Sequence, residues 1–376
     1  MTIEQQFPHI EQLIYLNHAA VAPWPRCAQE AVAAFARENV EFGAKDYPKW
    51  MKTEQRLKRN LATLLNAPST ADIALVKNTS EALSFVAYGL DWQAGDNVVI
   101  SDQEFPSNRI VWESLAQFGV ELRQADLASA ASPEEALMAQ VDDRTRLLSI
   151  SSIEYASGLK IDLETLGRFC RQQQIFFCVD AIQSLGAVAL DVQAIQADFV
   201  MADGHKWMLG PEGLAVFYSR KAVRDELRLT QYGWHMVEPL GDYDNPQWRI
   251  ASSGRRFECG SPNMLGIHAL DASIALLLAQ GMDNVEAALS ANAARLIDEI
   301  QQRPTLQLLT DSSPGRFGGI VTFRAKGCDN ATLQQQLMDR NVICAHRGGG
   351  VRFSAHFYTP ASHLTAAMAL VDELIG

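Results

Sequence analysis

Lys206 is the residue whose setting in this sequence most directly suggests covalent chemistry. In MADGHKWMLGPEG it lies between two apolar segments, residues 195–202 and 213–218, and each is typical of a buried strand. Most loop lysines are simply solvated, because the long stem lets the ammonium reach water. A lysine withdrawn from water has a lowered pKa, and its neutral amine can form a Schiff base with a carbonyl. The segment alone favours the solvated interpretation, so other residues must decide.

Polar side chains also occur at predicted strand ends, where open α/β sheets bind ligands. Asp180 ends the apolar strand IFFCVD, and Gln183 follows it. An aspartate there commonly caps the next helix, but its carboxylate could instead pair with a cationic ring nitrogen. Asn78, Thr79 and Ser80 begin NTSEAL with the pattern of a helix capping box. The same amides and hydroxyls suit a phosphate group.

Two arginine-bearing segments are further candidates. Arg352 lies in the apolar strand GVRFSAHFY, and a desolvated guanidinium needs an anionic partner. A substrate carboxylate bound through two hydrogen bonds would suit it. The turn RRFECGSPN, residues 255–263, combines two arginines with a glutamate and a serine. An ordinary surface ion pair is the simpler explanation for that turn.

The elements that position these residues follow an α/β pattern. Short apolar strands alternate with helical segments between about residues 70 and 220, which favours a mostly parallel sheet covered by helices on both faces. Strands are predicted at residues 97–101, 146–153, 175–180, 198–202 and 213–218. The connection between the last two is too short for a helical crossover, so that pair is predicted to be antiparallel.

A change of pattern follows Gly281. A long helix over about residues 284–303 leads into the order strand, strand, helix, strand, strand, helix, which indicates a small α+β domain. We therefore predict a large domain over residues 26–281, a small C-terminal domain over residues 282–376, and an N-terminal segment over residues 1–25.

Composition narrows the class of protein. The 376 residues exceed what one core usually organises, and the formal net charge of -12 disfavours nucleic acid or an anionic membrane as partner. The N-terminus lacks the pattern of a signal peptide, and the longest apolar segment is far too short to span a bilayer. The 6 cysteines and 8 histidines show no metal-ligand spacing and no disulfide framework. We expect a cytoplasmic protein without a metal.

Seven segments in chain order resemble the class V aminotransferase family of pyridoxal 5′-phosphate (PLP) enzymes, which includes cysteine desulfurases, kynureninase and isopenicillin N epimerase. They are YLNHAAVAP, NTSEAL, EFPSN, VDAIQS, DGHKW, RFECGSPN and VRFSAHFY. Each is weak alone, but their common order over nearly the whole chain is specific. The resemblance implies PLP-dependent transferase fold type I, with a mostly parallel, seven-stranded sheet in the large, PLP-binding domain. It also implies a homodimer with shared active sites.

The resemblance assigns roles to individual residues. Lys206 would form the Schiff base with the cofactor and move the substrate Cα proton, while Asp180 would keep the pyridine nitrogen protonated. Gln183 would hydrogen-bond the ring hydroxyl, and Arg352 would clamp the α-carboxylate. The remaining expected contacts are Thr79, Ser80 and His205 at the phosphate, Ser261 at the phosphate of a neighbouring subunit, and Asn17 and His18 near the substrate.

The sequence departs from the desulfurase pattern at several places. Phe105 stands where desulfurases stack a histidine on the ring, so stacking survives without an acid or base. Ser152 aligns with the residue that approaches the ring hydroxyl, with Glu154 as the rival if the register slips. Asp203 replaces a small hydroxyl residue near the phosphate. The segment before Arg352 is short and glycine-rich, and its nearest thiol, Cys344, is expected to be a small buried hydrophobe, which disfavours a persulfide-forming desulfurase.

The expected reaction is PLP-dependent chemistry on an α-amino acid, through an external aldimine and abstraction of the Cα proton. Because aminotransferases are frequent in the family that the sequence resembles, an aminotransferase is the first expectation. The alternatives are a C–S lyase or cysteine desulfurase-like enzyme, an epimerase, a PLP-holding regulator or scaffold without turnover, and a cofactor-free Schiff-base aldolase.

Overall fold

The computed structural model describes residues 1–8 and 12–376. The helices are α1 (Ile3–Gln6), α2 (Arg26–Phe42), α3 (Tyr47–Leu64), α4 (Thr79–Gly89), α5 (Ser107–Glu113), α6 (Pro133–Met138), α7 (Leu163–Gln173), α8 (Met264–Gln280), α9 (Met282–Gln301), α10 (Asn330–Asp339) and α11 (Ala361–Ile375). The strands are β1 (Ile14–Tyr15), β2 (Ile73–Val76), β3 (Asn97–Ser101), β4 (Glu121–Ala125), β5 (Thr145–Ser151), β6 (Phe176–Asp180), β7 (Phe199–Asp203), β8 (Ala215–Ser219), β9 (Val237–Glu238), β10 (Arg249–Ile250), β11 (Leu306–Leu308), β12 (Ile320–Ala325), β13 (Val342–Ile343), β14 (Ala345–Arg347) and β15 (Gly350–Ser354).

The central sheet has seven strands in the order β2-β8-β7-β6-β5-β3-β4. The pairs from β4 across to β7 are parallel, whereas β8 is antiparallel to both β7 and β2. Both the mostly parallel sheet and the antiparallel last pair are therefore confirmed. The antiparallel step places the connection from β7 to β8, which carries Lys206, at the carboxyl end of β7.

Helices cover the sheet on both faces because alternate side chains of each strand point in opposite directions. Val98, Ile100 and Leu147 join the apolar cluster that contains α4 and α5 residues. Val99 and Leu148 join the larger cluster that contains α3, α7 and α8 residues. With both faces buried, the side chains free for chemistry are those at the strand ends.

The C-terminal part has its own antiparallel sheet, in the order β11-β12-β15-β14. Helix α9 spans two cores, since Val285 and Leu289 pack in the main cluster while Leu296 and Ile300 pack in the C-terminal one. The N-terminal strand β1 pairs with β13, and Leu16 is buried in the same C-terminal cluster. The residue limits given above to the three domains stay predictions.

One feature of α8 and α9 concerns membranes. In residues 1–8 and 12–376, no single helix is both long and apolar enough to cross a bilayer. The pair α8 and α9 meets that criterion only when taken together across a bend of 84°. Both helices contribute residues to the buried cores, as core helices of globular proteins do.

Candidate active site

The carboxyl ends of β6 and β7, the start of α4 and the β14–β15 hairpin surround a cleft of about 310 Å³. Parallel strands present their last side chains at one edge, so residues distant in sequence converge there. The predicted site residues that line this cleft are Thr79, Ser80, Phe105, Asp180, Gln183, His205, Lys206 and Arg352.

Lys206 lies on the wall of this cleft and is only 8% exposed. Its Nζ lies 5.6 Å from the centroid of the Phe105 ring. Burial lowers the pKa of Lys206 to about 8, with Arg352 and Arg347 lowering it further and Asp180 opposing them. A substantial neutral fraction near neutral pH makes this amine a nucleophile, as Schiff-base chemistry requires.

The position of Lys206 is fixed by its neighbour Trp207, which is fully buried. Trp207 Nε1 donates a hydrogen bond of 2.9 Å to Gln183 Oε1, and Gln183 Nε2 donates one of 3.1 Å to the Ala19 carbonyl. Gly186 permits this packing. It has φ of +93°, and a Cβ there would lie 2.4 Å from the Trp207 carbonyl oxygen. These contacts therefore fix the position of Lys206 on the cleft wall.

Asp180 is the last residue of β6 and is almost completely buried. Its Oδ1 accepts a hydrogen bond of 3.0 Å from the Ile182 amide, which leaves Oδ2 without a hydrogen-bond partner in the described residues. Burial raises the pKa of Asp180 to about 6, against the lowering effect of Lys206. A buried carboxylate in this state gains from a cationic N–H group placed in the cleft.

The start of α4 presents its amides and hydroxyls to the same cleft. Asn78 caps the helix through its side chain, and Thr79 Oγ1 is buried without a hydrogen-bond partner among the described residues. His205 Nδ1 lies 3.2 Å from Asp203 Oδ1, yet neither atom has a hydrogen bond of acceptable geometry in the described chain. Unpaired buried donors at a helix N-terminus are what a phosphate group would satisfy.

Arg352 projects from β15 into the cleft and is only 2% exposed. Its Nη1 donates a hydrogen bond of 2.6 Å to the Tyr155 carbonyl, while its Nε is buried with no partner among the described residues. Burial lowers the pKa of Arg352 to about 9, and Arg347 lowers it further. A guanidinium held this way gains from a carboxylate of the substrate.

Two of the predicted cofactor-binding residues lie outside this cleft. Ser152 Oγ donates to Ser184 Oγ at 2.7 Å, and Ser152 lines a separate cavity of about 770 Å³. That larger cavity contains neither Lys206 nor Arg352, so volume alone does not locate the chemistry. Ser261 lines a third cavity, of about 210 Å³. Its reach to a neighbouring subunit stays a prediction.

Asn17 and His18 do not line the cleft either. Asn17 forms a β-bridge with Ser354, and His18 is buried with Nδ1 2.8 Å from the Ser354 carbonyl. The residues that line the cleft in this segment are the next three, residues 19–21. The N-terminal segment thus reaches the site, and direct contact of Asn17 or His18 with substrate stays a prediction.

Sequence reasoning missed other residues that line the cleft, above all Tyr155 and Arg347. Tyr155 packs edge-on against Phe105, with ring centroids 5.2 Å apart. The signal for Arg347 was present in HRGGGVR, because a tight glycine hairpin brings arginines of neighbouring strands together. Tyr155 carries no comparable signal.

A pair of buried glutamates lies near Asp180. Ser101 Oγ is 2.7 Å from Glu154 Oε1 and 3.3 Å from Glu104 Oε1, and both glutamates are buried. Burial raises the pKa of Glu104 to about 7, and burial together with Glu104 raises the pKa of Glu154 well above its usual range. Glu154, the rival to Ser152, therefore lies in this network and does not line the cleft.

The described residues fit a phosphate-bearing aldehyde cofactor with a basic ring nitrogen. The unpaired Thr79 Oγ1 at the start of α4 suits the phosphate, Asp180 suits a protonated ring nitrogen, and Lys206 suits the aldehyde. Phe105 lies beside the lysine with a ring face available for stacking. The fold and the cleft define a Schiff-base enzyme of this kind.

The chain belongs to the class V aminotransferase family, whose cofactor is PLP. The sequence profile described as "Aminotransferase class-V" matches residues 14–364. A probable cysteine desulfurase of Methanothermobacter thermautotrophicus is 28% identical, with 100% of this chain and 98% of that protein covered. A cysteine desulfurase of Salmonella typhimurium is 29% identical, with 83% of this chain and 77% of that protein covered.

Solved structures show the same fold. The cystine C–S lyase C-DES, in complex with its reaction product cysteine persulfide, superposes with a TM-score of 0.91 at 24% identity and covers 98% of this chain and 99% of its own. The apo cysteine desulfurase from Thermococcus onnurineus NA1 has a TM-score of 0.88 at 22% identity, covering 99% and 97%. The predicted α/β fold of the PLP-dependent type is therefore confirmed.

Proposed function

We propose that the protein is a PLP-dependent C–S lyase that breaks the Cβ–S bond of a cysteine-derived amino acid. The observation that carries this is that no cysteine lines the active-site cleft in the described chain. A desulfurase needs a protein thiol to take the sulfur, whereas a lyase releases the sulfur with the leaving group. The names of the relatives concern C–S chemistry, which favours this alternative over the aminotransferase that family frequency placed first.

The positions of the cysteines strengthen the argument. Cys344, the thiol nearest in sequence to Arg352, is buried in the C-terminal core, and burial raises its pKa to about 12. A thiol held neutral is a poor nucleophile. The other cysteines also lie away from the cleft: Cys170 and Cys178 are buried, Cys27 and Cys259 are partly exposed, and Cys328 is exposed.

Bound PLP supplies an electron sink for the pair left when the Cα–H bond breaks. Arg352 holds the α-carboxylate and thereby orients the Cα–H bond toward the lysine. Lys206, whose lowered pKa favours the neutral amine, takes that proton. Asp180 would pair with the ring nitrogen, and Phe105 would supply a ring for stacking without acting as an acid or base.

The elimination balances without an added oxidant or reductant. The Cα–H bond gives its proton to Lys206, the electron pair forms a Cα–Cβ double bond, and the Cβ–S bond breaks with its pair on sulfur. Water then hydrolyses the three-carbon fragment to pyruvate and ammonia. From cystine, the sulfur product is cysteine persulfide.

The experiment is product analysis with the purified holoenzyme and L-cystine. We expect pyruvate, ammonia and persulfide in equal amounts over many turnovers. Substitution of any one cysteine by serine should leave this turnover in place, because no thiol takes part.

Two other product patterns would replace the proposal. In the same assay with L-cysteine as substrate, alanine with sulfur bound to a protein cysteine, and loss of this activity in one Cys→Ser variant, would establish a desulfurase. A keto acid formed only in proportion to an added amino acceptor would establish the aminotransferase.

A further inference from the structure

The rim of the active-site cleft carries a second arginine in addition to Arg352. Arg347 ends β14, and both side chains line the cleft. Ala345 is the cross-strand partner of Arg352, and Arg347 lies two residues further along β14. Partners across strands and residues two apart share a face, so both guanidinium groups project from one face of the hairpin. Such diagonal neighbours lie roughly 7–8 Å apart.

Neither guanidinium has an anionic partner in the part of the chain that the structure describes. Arg347 Nη1 donates only to the carbonyl of His346, at 2.8 Å, and Arg352 donates only to the Tyr155 carbonyl. The phosphate of PLP is expected at the start of α4, on a different element. Binding of one substrate α-carboxylate to Arg352 therefore leaves Arg347 without an anionic partner.

A solvated arginine on a mobile loop would be the simpler explanation, but the hairpin is held in place. Gly348 and Gly349 form the turn with φ of +58° and +73°, and a Cβ on Gly348 would lie 3.5 Å from Ala156 Cβ. Arg324 Nε on β12 donates a hydrogen bond of 3.1 Å to the Gly349 carbonyl in the turn. Because both turn residues are glycines, no side chain of the turn lies between Arg347 and the cleft.

We propose that Arg347 forms a subsite for a second anionic group on the substrate, beyond the sulfur atom. The inference rests on the proposed function and deepens it. Arg352 takes the α-carboxylate at the base of the cleft, and Arg347 takes a distal carboxylate at the rim. The preferred substrates are amino acids that carry a carboxylate on both sides of the sulfur, and the disulfide of cysteine has this form.

The test compares two ligands that differ only in charge, S-carboxymethyl-L-cysteine and S-carbamoylmethyl-L-cysteine. Each is measured as a competitive inhibitor of chloride release from β-chloro-L-alanine by the holoenzyme, because chloride cannot come from either ligand. The acid should bind about fivefold to tenfold more tightly than the amide, as a charge-assisted hydrogen bond at a partly exposed site implies. In Arg347→Gln the preference should fall below about twofold, and in Arg347→Lys most of it should remain.

Arg340→Gln is the matched control, because Arg340 is exposed and pairs with Glu373 outside the cleft. It should keep the preference for the acid. Equal binding of the two ligands, or a preference that survives in Arg347→Gln, overturns the subsite. Absence of chloride release from β-chloro-L-alanine would count against the proposed function instead, and calorimetric titration of the same proteins with the two ligands would still decide the subsite.

Discussion

The buried glutamate pair leads to an unusual prediction: replacing Glu154 with glutamine should stabilise the protein. Ser101 has one hydroxyl proton and contacts both carboxyl groups, so it can donate to only one of them. Glu104 accepts hydrogen bonds from the amide and hydroxyl of Ser151 and from Asn108. Glu154 is therefore the group that keeps its proton and donates to Ser101, a role that an amide can reproduce.

The magnitude follows from proton linkage. The pKa of Glu154 is raised in the folded protein, so the unfolded chain releases this proton at lower pH than the folded protein does. The stability associated with the group is full at acidic pH and is lost as pH rises toward the folded-state pKa. Removing the group should thus gain about 1.4 kcal/mol per pH unit above the usual glutamate range, until that folded-state pKa is reached.

The assay is urea unfolding at fixed protein concentration between pH 5 and pH 8. Glu154→Gln should differ little from the wild type at the acidic end and become progressively more stable as pH rises. Glu104→Gln is the matched control. The unfolding free energy gained by removing the Glu104 carboxyl group stops increasing near pH 7, where Glu104 titrates. About 1–3 kcal/mol is also lost for each Ser151 or Asn108 donor left unpaired. A stability difference for Glu154→Gln that does not change with pH would refute the reasoning, because Glu154 would then be ionised in the folded protein.

Three further predictions concern the cleft. Capture of PLP by the apoprotein, followed by absorbance, should accelerate as pH rises through about 8, because the neutral amine of Lys206 is the attacking form; a flat profile would contradict this. Arg352→Gln should lower kcat/KM for amino acids about tenfold to a hundredfold, through loss of a charge-assisted contact worth about 1.5–3 kcal/mol; PLP binding should persist. Gly186→Ala should cost several times more unfolding free energy than Gly43→Ala, since both have positive φ but only Gly186 would meet a backbone oxygen at 2.4 Å; equal losses would show that φ strain alone matters.

The sequence was sufficient where side-chain periodicity or strand ends carry the information. The apolar segments that became β3 and β5 to β8 were located within one or two residues. Asp180 and Lys206 lie in one cleft because Asp180 ends one core strand and Lys206 follows the next. The direction of Ser152 could not be predicted. The segment after β5 has no period, and a shift of two or three residues decides whether Ser152, Glu154 or Tyr155 faces the cleft.

Contacts between distant segments were also beyond sequence reasoning. The Glu104–Glu154 network depends on the register between β3 and β5 and on the loops that follow them. Neither residue type nor local spacing reveals that two glutamates fifty residues apart will share one hydroxyl. The placement of Arg347 and Arg352 on one face of the β14–β15 hairpin could have been predicted from the sequence, but only by assuming a turn at Gly348 and Gly349.

The N-terminal segment is hydrogen-bonded both to β15 and to the loop that carries Lys206. The Ser354 amide donates to the Leu16 carbonyl at 2.8 Å, and the Ala22 amide donates to the His205 carbonyl at 2.8 Å. Between these anchors, residues 19–21 form one wall of the cleft. Any swing of β15 away from the large sheet would pull on this short tether and strain the lysine loop at the same time. Phe105, which also lines the cleft, is 39% exposed, so its side chain marks a part of the cleft that is open to solvent.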